Sequence, residues 1–98
     1  MCGIAGIFSN RADHKDSQLI HRATEKIGHR GPDGYGYFQD EYIALGHRRL
    51  SILDVSVKGA QPMTDLSRNY VIIFNGEIFN YRELRNAHFP SDHPWRSE

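Results

Sequence analysis

The residue best suited to chemistry is Cys2, the only cysteine of this 98-residue chain, which directly follows Met1. Aminopeptidases remove an initiator methionine when the next side chain is small, and cysteine is small enough. Removal would leave a thiol and a free α-amine on one residue. Because α-amino groups titrate at about pH 8, the amine could take the thiol proton and make the sulfur a nucleophile. The alternative is a small buried hydrophobic residue near a frayed terminus.

Four polar residues farther along the chain could serve amide hydrolysis by such a sulfur. Asn75 and Gly76 follow an apolar run and could donate a side-chain amide N–H and a backbone N–H to an oxyanion, although Asn-Gly is also a common hairpin turn. Arg49 could clamp a carboxylate and Glu77 could accept from an ammonium group, although both residue types usually decorate a surface. Together they predict a site for a free amino acid whose side-chain amide faces the cysteine.

The composition limits the partners of the chain. Twelve Lys and Arg residues balance twelve Asp and Glu residues, so neither nucleic acid nor an anionic membrane is expected as a partner. The sequence has no apolar stretch of about eighteen residues and no signal-peptide layout, and a single cysteine fits a reducing cytoplasm. The six histidines are scattered without the short spacings of a zinc site, so no metal is expected.

Hydrophobic patterning predicts the elements that must position these residues. Residues 3–9 are expected to form a strand packed on both faces, followed by a helix that Asp16 or Ser17 caps and Gly28 closes. Its apolar face would carry Leu19, Ile20, Ala23 and Ile27. A breaker-rich loop over 29–34 should lead into a hairpin of strands 35–38 and 42–46 that turns at 39–41, with extended chain over 47–53.

The second half is predicted to contain one strong strand and one helix. A loop over 54–63 precedes residues 70–74, the best candidate for a buried strand, and 78–79 form a second extended piece. Asn80 should cap a helix over 81–85, with Glu83 at its third position as in a capping box. The pattern collapses from residue 86 onward. Strands with two apolar faces need covering layers that the other residues barely supply, so the domain is expected to be incomplete.

Five segments in order carry a resemblance to a known family. They are Met-Cys-Gly-Ile-Ala-Gly-Ile-Phe at 1–8, His-Arg-Gly-Pro-Asp at 29–33, Gly-His-Arg-Arg-Leu-Ser-Ile at 46–52, Gly-Ala-Gln-Pro-Met at 59–63, and Asn-Gly-Glu-Ile-Phe-Asn-Tyr at 75–81. The chain closely resembles the class II glutamine amidotransferase domain of glutamine-hydrolysing asparagine synthetases, over nearly its whole length.

The resemblance implies an α+β fold: an N-terminal nucleophile hydrolase-like α/β/β/α sandwich with antiparallel sheets, incomplete at its C-terminal end. Residues 1–98 would be the N-terminal part of that domain, with the ATP-dependent synthetase domain absent. No cofactor is implied for this part, and ATP and Mg are expected only for the missing synthetase domain. The implied partners are glutamine as substrate and a synthetase domain in the same chain. A homodimer is compatible with the resemblance.

The resemblance also assigns roles to site residues. The nucleophile falls on Cys2, whose amine would be the general base, and the oxyanion hole falls on the Asn75 side chain and the Gly76 N–H. Glu77 falls where the family meets the α-amino group of glutamine. The carboxylate clamp and its pocket wall fall on Arg49, Leu50, Ser51, Ile52 and Leu53. The loop 29–33 is expected to pack near the nucleophile in a structural role.

One feature of the family lies outside the chain. The family usually has a Ser-Asp-Thr-Glu-Val stretch whose aspartate shares the substrate ammonium group with the residue at Glu77. Residues 95–98 resemble the lead-in to that stretch, so the aspartate is expected to be cut off. Asp92, which precedes the lead-in, is a poor substitute.

The leading hypothesis is the glutaminase part of an asparagine synthetase-like enzyme. It would release ammonia from glutamine for the ATP-dependent amidation of aspartate. One alternative is a glutaminase domain that serves another acceptor. Another, from a different class, is a catalytically inert truncated product or a partner-binding module on the same scaffold.

Overall fold

The computed structural model describes residues 1–10, 17–52 and 55–95, with Ser17 described without its side chain. Its elements are β1 (Gly3–Phe8), α1 (Ser17–Lys26), β2 (Gly34–Gln39), β3 (Ile43–Arg49), β4 (Met63–Thr64), β5 (Val71–Ile72) and α2 (Tyr81–His88). Two short 3-10 turns cover Gly28–Arg30 and Val57–Gly59. Strands before and after a helix, all antiparallel, make the fold α+β, as predicted.

The first three strands form an antiparallel sheet in the order β1-β3-β2. Gly3 of β1 pairs with Arg48 of β3, and Tyr35 of β2 pairs with the same residue from the other side. The predicted β2–β3 hairpin is confirmed. Its turn is closed by Asp40, whose carboxylate accepts hydrogen bonds from the backbone N–H groups of Tyr42 and Ile43, which hold the pKa of Asp40 below its usual value.

Helix α1 packs on one face of this sheet. Ile20 and Thr24 are fully buried, and the Thr24 hydroxyl donates to the Ile20 carbonyl at 2.7 Å. A side chain at Gly46 would overlap that hydroxyl, so the glycine allows the helix to lie close to β3. Leu19, predicted on the buried face, is instead 46% exposed, because the contact between Thr24 and Gly46 sets the rotation of the helix.

The structure bears on three other expectations about this half in different ways. Helix α1 ends at Lys26, two residues before the glycine that was expected to close it, and Gly28 begins the 3-10 segment. The expected cap at Asp16 or Ser17 lies outside the described residues and side chains. Packing of β1 on both faces was wrong: Ile4 and Phe8 are exposed, since only the opposite face is covered by α1.

The second half supplies a small hairpin instead of a long buried strand. Strands β4 and β5 pair over two residues each, and Tyr70 and Ile72 are 75% and 55% exposed. The prediction of a buried strand over 70–74 was therefore wrong. The predicted extended piece at 78–79 forms no strand, and Phe79 is 89% exposed. Within the described residues, β5 has β4 as its only strand neighbour, and nothing covers the outer apolar side chains.

Helix α2 is confirmed and runs three residues beyond its predicted end, to His88. Asn80 makes no side-chain cap hydrogen bond, because its backbone angles (φ −97°, ψ 29°) differ from the extended ones that aim an N-cap side chain at the first turn. The capping-box prediction for Asn80 and Glu83 was therefore wrong. No residue of this helix is buried.

The two halves meet on the sheet face opposite α1. Gly36 of β2 pairs with His47, and a side chain at Gly36 would run into the Gln61 carbonyl and the Pro62 ring. The order helix, sheet, second hairpin agrees with part of the predicted layered sandwich. In the described part of the chain, no helix has both the length and the apolar character needed to cross a membrane.

Candidate active site

The thiol of Cys2 is held against the end of β3. The antiparallel pairing of Gly3 with Arg48 brings the residue before β1 to the residues after β3. The backbone N–H of Leu50 donates to the Cys2 Sγ at 3.3 Å, and the thiol lies 3.6 Å from the Leu50 carbonyl, to which it can donate. The half-buried sulfur is thereby fixed by the main chain of a residue 48 positions away.

The loop 29–33 clamps both sides of this junction. The Arg30 Nε donates to the Cys2 carbonyl at 3.2 Å, and the Asp33 carboxylate accepts from the Ser51 N–H at 2.8 Å. Gly31 is buried, and any side chain there would collide with the backbone of Arg48. The expectation that this loop packs near Cys2 is confirmed.

Arg49 ends β3 beside this junction and is half-buried. Its Nη1 donates to the Ser56 carbonyl at 2.6 Å, which fixes one edge of the guanidinium. The planar guanidinium of Arg49 carries five N–H donors, so it can bind this carbonyl on one edge and a carboxylate on another.

The corner at Asn75 and Gly76 follows β5 and lines the same cavity as Cys2. The backbone before it is held by two side chains: the Phe74 N–H donates to the Gln61 Oε1 at 2.6 Å, and the His47 Nε2 lies 3.3 Å from the Phe74 carbonyl. A Cβ at Gly76 would come within 2.8 Å of the Phe74 ring, so a larger residue at this corner would require the ring to move.

One cavity of about 620 Å³ joins these elements. Eight of the nine predicted site residues line it: Cys2, Arg49, Leu50, Ser51, Ile52, Asn75, Gly76 and Glu77. Leu53 lies outside the described residues. The volume is within the range of small-molecule sites. The cavity therefore brings a thiol, a guanidinium, a side-chain amide and a carboxylate to one place, as a site for an amino acid would require.

Several residues of the cavity were missed by the sequence reasoning. The wall also contains Met1, Gly59, Gln61, Met63, Phe74 and Phe79. Gln61 and Met63 belong to a segment already noted for its motif, so that signal was available but carried no functional interpretation. Asp92 does not line the cavity.

Size alone would not have identified this site. A larger cavity of about 870 Å³ lies between the β2–β3 hairpin and the β4–β5 turn, and none of the predicted residues lines it. In the described ranges, no three His, Cys, Asp or Glu side chains come together as a metal would need.

The chain resembles one protein family over its whole length. All 98 residues match the model of the glutamine amidotransferase domain. Asparagine synthetase (glutamine-hydrolyzing) 1 of Bacillus subtilis (strain 168) is 49% identical over 90 residues, which cover 87% of this chain and 14% of the relative. Asparagine synthetase B (glutamine-hydrolyzing) of Escherichia coli (strain K12) is 40% identical over 88 residues, which cover 87% and 15%.

A relative with another printed name shares the same region. Amidase chyE of Penicillium rubens is 33% identical over 98 residues, which cover 88% of this chain and 14% of the amidase. The chain thus spans about one seventh of the length of these curated relatives, and in each of them the match is to a small part of a larger protein.

Proposed function

The chain belongs to the glutamine amidotransferase domain family, and on that premise we propose that it hydrolyses glutamine to glutamate and ammonia with Cys2 as nucleophile. The observation that supports this most directly is the single cavity lined by Cys2, Arg49, Asn75, Gly76 and Glu77. These residues supply the nucleophile, the charge partners and the oxyanion donors that the reaction requires.

The proposed reaction begins after Met1 is removed. The freed α-amine of Cys2 takes the thiol proton, and the sulfur attacks the side-chain amide carbon of glutamine. The tetrahedral oxyanion accepts hydrogen bonds from the Asn75 side-chain amide and the Gly76 N–H. The ammonium form of the amine returns its proton to the leaving nitrogen, so ammonia departs and a thioester remains. Water then hydrolyses the thioester, which releases glutamate and restores the thiol.

Substrate binding is assigned to the two charged residues of the cavity. The Arg49 guanidinium would pair with the α-carboxylate of glutamine, with the chain from Leu50 to Ile52 as the wall beside it. Glu77 would accept from the α-ammonium group. Because Glu77 is exposed, water screens its charge, and we expect a smaller contribution from it than from half-buried Arg49.

The use of the ammonia is a further part of the proposal. The relatives in Bacillus subtilis and Escherichia coli are named as glutamine-hydrolysing asparagine synthetases, which supports use of the ammonia by a synthetase part that amidates aspartate. ATP and Mg are expected to be needed only for that part. The amidase of Penicillium rubens favours a glutaminase serving another reaction as the neighbouring alternative. We place the activity in the cytoplasm, where a lone thiol stays reduced. A homodimer remains a prediction, which sedimentation measurements can test.

A second candidate is a partner-binding module without catalysis. It is favoured by large apolar side chains that are strongly exposed within the described residues, such as Val57 at 87% and Phe79 at 89%. Such a module would need neither removal of Met1 nor a reactive thiol, so one experiment separates the two functions.

The test uses the protein as its gene encodes it. Intact-mass measurement should show that Met1 is absent, and a diazo-ketone analogue of glutamine should label Cys2 once. Added glutamine should suppress that labelling, and the Cys2→Ser variant should not be labelled. Retention of Met1, or labelling that glutamine leaves unchanged, would contradict the glutaminase and favour the binding module.

A further inference from the structure

Phe74, the residue before the proposed oxyanion donors, has both its main-chain N–H and its carbonyl bound by side chains within the described residues. Strand β5 ends at Ile72, so Phe74 lies beyond the ladder that pairs β5 with β4. Its N–H donates to the Gln61 Oε1 at 2.6 Å, and its carbonyl lies 3.3 Å from the His47 Nε2. Two side-chain hydrogen bonds thus replace the strand partner that would normally fix such a residue.

His47 is built rigidly into the sheet. It lies on the central strand β3 between Ile4 of β1 and Gly36 of β2, and its side chain is fully buried. A carbonyl can only accept, so the contact with Phe74 requires the proton on Nε2. Among the described residues, the buried Nδ1 has no hydrogen-bond partner. The imidazole therefore has one polar contact, and that contact is to the peptide of Phe74.

The ionisation of His47 agrees with this geometry. Burial lowers the pKa of His47, the neighbouring Arg49 charge lowers it further, and the Phe74 carbonyl opposes both. Arg49 follows two residues later on the same strand and therefore lies on the same sheet face. A neutral ring with its proton on Nε2 is the form that donates one hydrogen bond and leaves no buried charge.

Gln61 packs against the neighbouring strand β2 on the same face of the sheet as His47. Its backbone carbonyl lies against Gly36, where the lack of a side chain leaves room for it. Its half-buried side chain reaches the Phe74 N–H and also lines the cavity of about 620 Å³. Both partners of the Phe74 peptide are therefore fixed to neighbouring strands of one sheet.

We propose that His47 and Gln61 are positioning residues that hold the main chain of Phe74, at its carbonyl and its N–H respectively, and thereby aim the Asn75 side chain and the Gly76 N–H at the reacting carbonyl. This inference rests on the glutaminase proposed above. Oxyanion donors act only when they are already in place as the charge develops. With no ladder partner for Phe74, loss of either side-chain hydrogen bond leaves the corner free to shift, and shifts of about 1 Å in such groups cost roughly 100-fold in rate.

The experiment compares two matched pairs of variants in the protein as its gene encodes it. His47→Leu removes the donor but keeps an apolar side chain in the buried position, whereas His47→Gln returns an amide N–H near the place of Nε2. Gln61→Met removes the acceptor, and Gln61→Glu keeps one. Gln61 is only half-buried, so its pair carries less risk of misfolding than the pair at His47.

A positioning role predicts a particular kinetic and structural pattern. In His47→Leu and Gln61→Met, kcat should fall about 10- to 100-fold while KM for glutamine changes less than about twofold, because the effect is on the transition state. His47→Gln and Gln61→Glu should recover a large part of kcat. Amide hydrogen exchange at 74–76 should accelerate in the first two variants, with exchange in β1 and β3 unchanged.

The outcomes separate this inference from the proposed function. A wild-type protein that releases no glutamate contradicts the glutaminase itself. If the wild type is active and all four variants keep its kcat, the positioning role is contradicted. It is also contradicted if kcat falls only as far as the fraction of protein that the diazo-ketone labels, because the loss would then reflect fewer formed sites. Unchanged exchange at 74–76 in both His47→Leu and Gln61→Met also contradicts it, whatever the activity.

Discussion

The sulfur of Cys2 accepts a hydrogen bond at 3.3 Å from the backbone N–H of Leu50, and this contact joins the start of the chain to the end of its central strand. Chain termini usually fray unless something ties them down. Here the Arg30 side chain also holds the Cys2 carbonyl at 3.2 Å, so both the thiol and the main chain of this residue are fixed. If Cys2 acts as the proposed nucleophile, this anchoring would keep it near its substrate.

The approach of the loop 29–33 to β3 depends on Gly31. We expect Gly31→Ala to lower the free energy of unfolding by about 1–3 kcal/mol, because its Cβ would overlap the Arg48 backbone in a buried position. Urea unfolding followed by circular dichroism measures this. Gly34→Ala is the matched control: a Cβ there would lie 3.9 Å from the nearest atom, on Arg49, and should be tolerated far better. Equal losses in both variants would contradict the steric explanation.

Replacing Asn75 tests the proposed oxyanion donor. Asn75→Ala should lower kcat for glutamine hydrolysis by about 100- to 1,000-fold, with KM nearly unchanged, because the amide acts on the charge of the transition state. Release of glutamate under saturating glutamine measures the change. Asn86→Ala, on the exposed side of α2, is the control and should keep wild-type kcat. An Asn75 variant with a higher KM and an unchanged kcat would contradict the oxyanion role and show that this side chain binds the ground-state substrate.

Arg49 is expected to contribute to substrate binding through a planar fork. Arg49→Lys keeps the charge but loses the bidentate geometry, so KM for glutamine should rise about 10-fold or more, with a smaller change in kcat. Because the Arg49 Nη1 also donates to the Ser56 carbonyl, a melting curve is needed to show that the variant is folded. Arg22→Lys, on the exposed side of α1, should leave KM unchanged. Unchanged KM in a folded Arg49 variant would place the carboxylate elsewhere.

The stability of the protein should depend on the ionisation of His47. Burial lowers the pKa of His47 in the fold below the usual histidine value of 6.5, so near and below that pH the unfolded chain binds more protons than the folded one. The contribution of His47 to stability is thus fully present above about pH 6.5 and is lost as pH falls through the lower folded pKa. Urea midpoints at several pH values measure this.

His47→Gln provides the control for that pH dependence, because glutamine does not titrate in this range. Its urea midpoint should fall less steeply than that of the wild type between about pH 6.5 and pH 5. Parallel pH profiles for the two proteins would show that other groups, and not the buried imidazole, are responsible.

Local sequence signals predicted the elements near Cys2 well. The alternation over β1, the apolar spacing of α1 and the turn chemistry around Asp40 are all short-range features, and the structure confirms the three elements within a few residues. They were readable because each depends on neighbours in the chain. The ordered motifs also indicated the family, to which the whole chain matches.

Signals that depend on burial were read less well. The apolar run at 70–74 has the composition of a core strand, yet β5 covers only two residues and Tyr70 stays 75% exposed. An apolar composition indicates that a segment is more stable when buried. Whether it is buried depends on which other segments pack against it. The failure of Asn80 as a cap has a similar cause, because its backbone angles follow from the chain on either side.

The sequence by itself determined the chemical groups of the candidate site: the thiol at position 2, the guanidinium of Arg49, and the amide and glycine at 75 and 76. Only the tertiary structure decided that Leu50 holds the sulfur, that Arg30 holds the Cys2 carbonyl, and that His47 and Gln61 hold the peptide before Asn75. Residue types fix which reactions are accessible. The hydrogen bonds that aim them join residues 13 to 48 positions apart, and local propensities carry no information about such pairs.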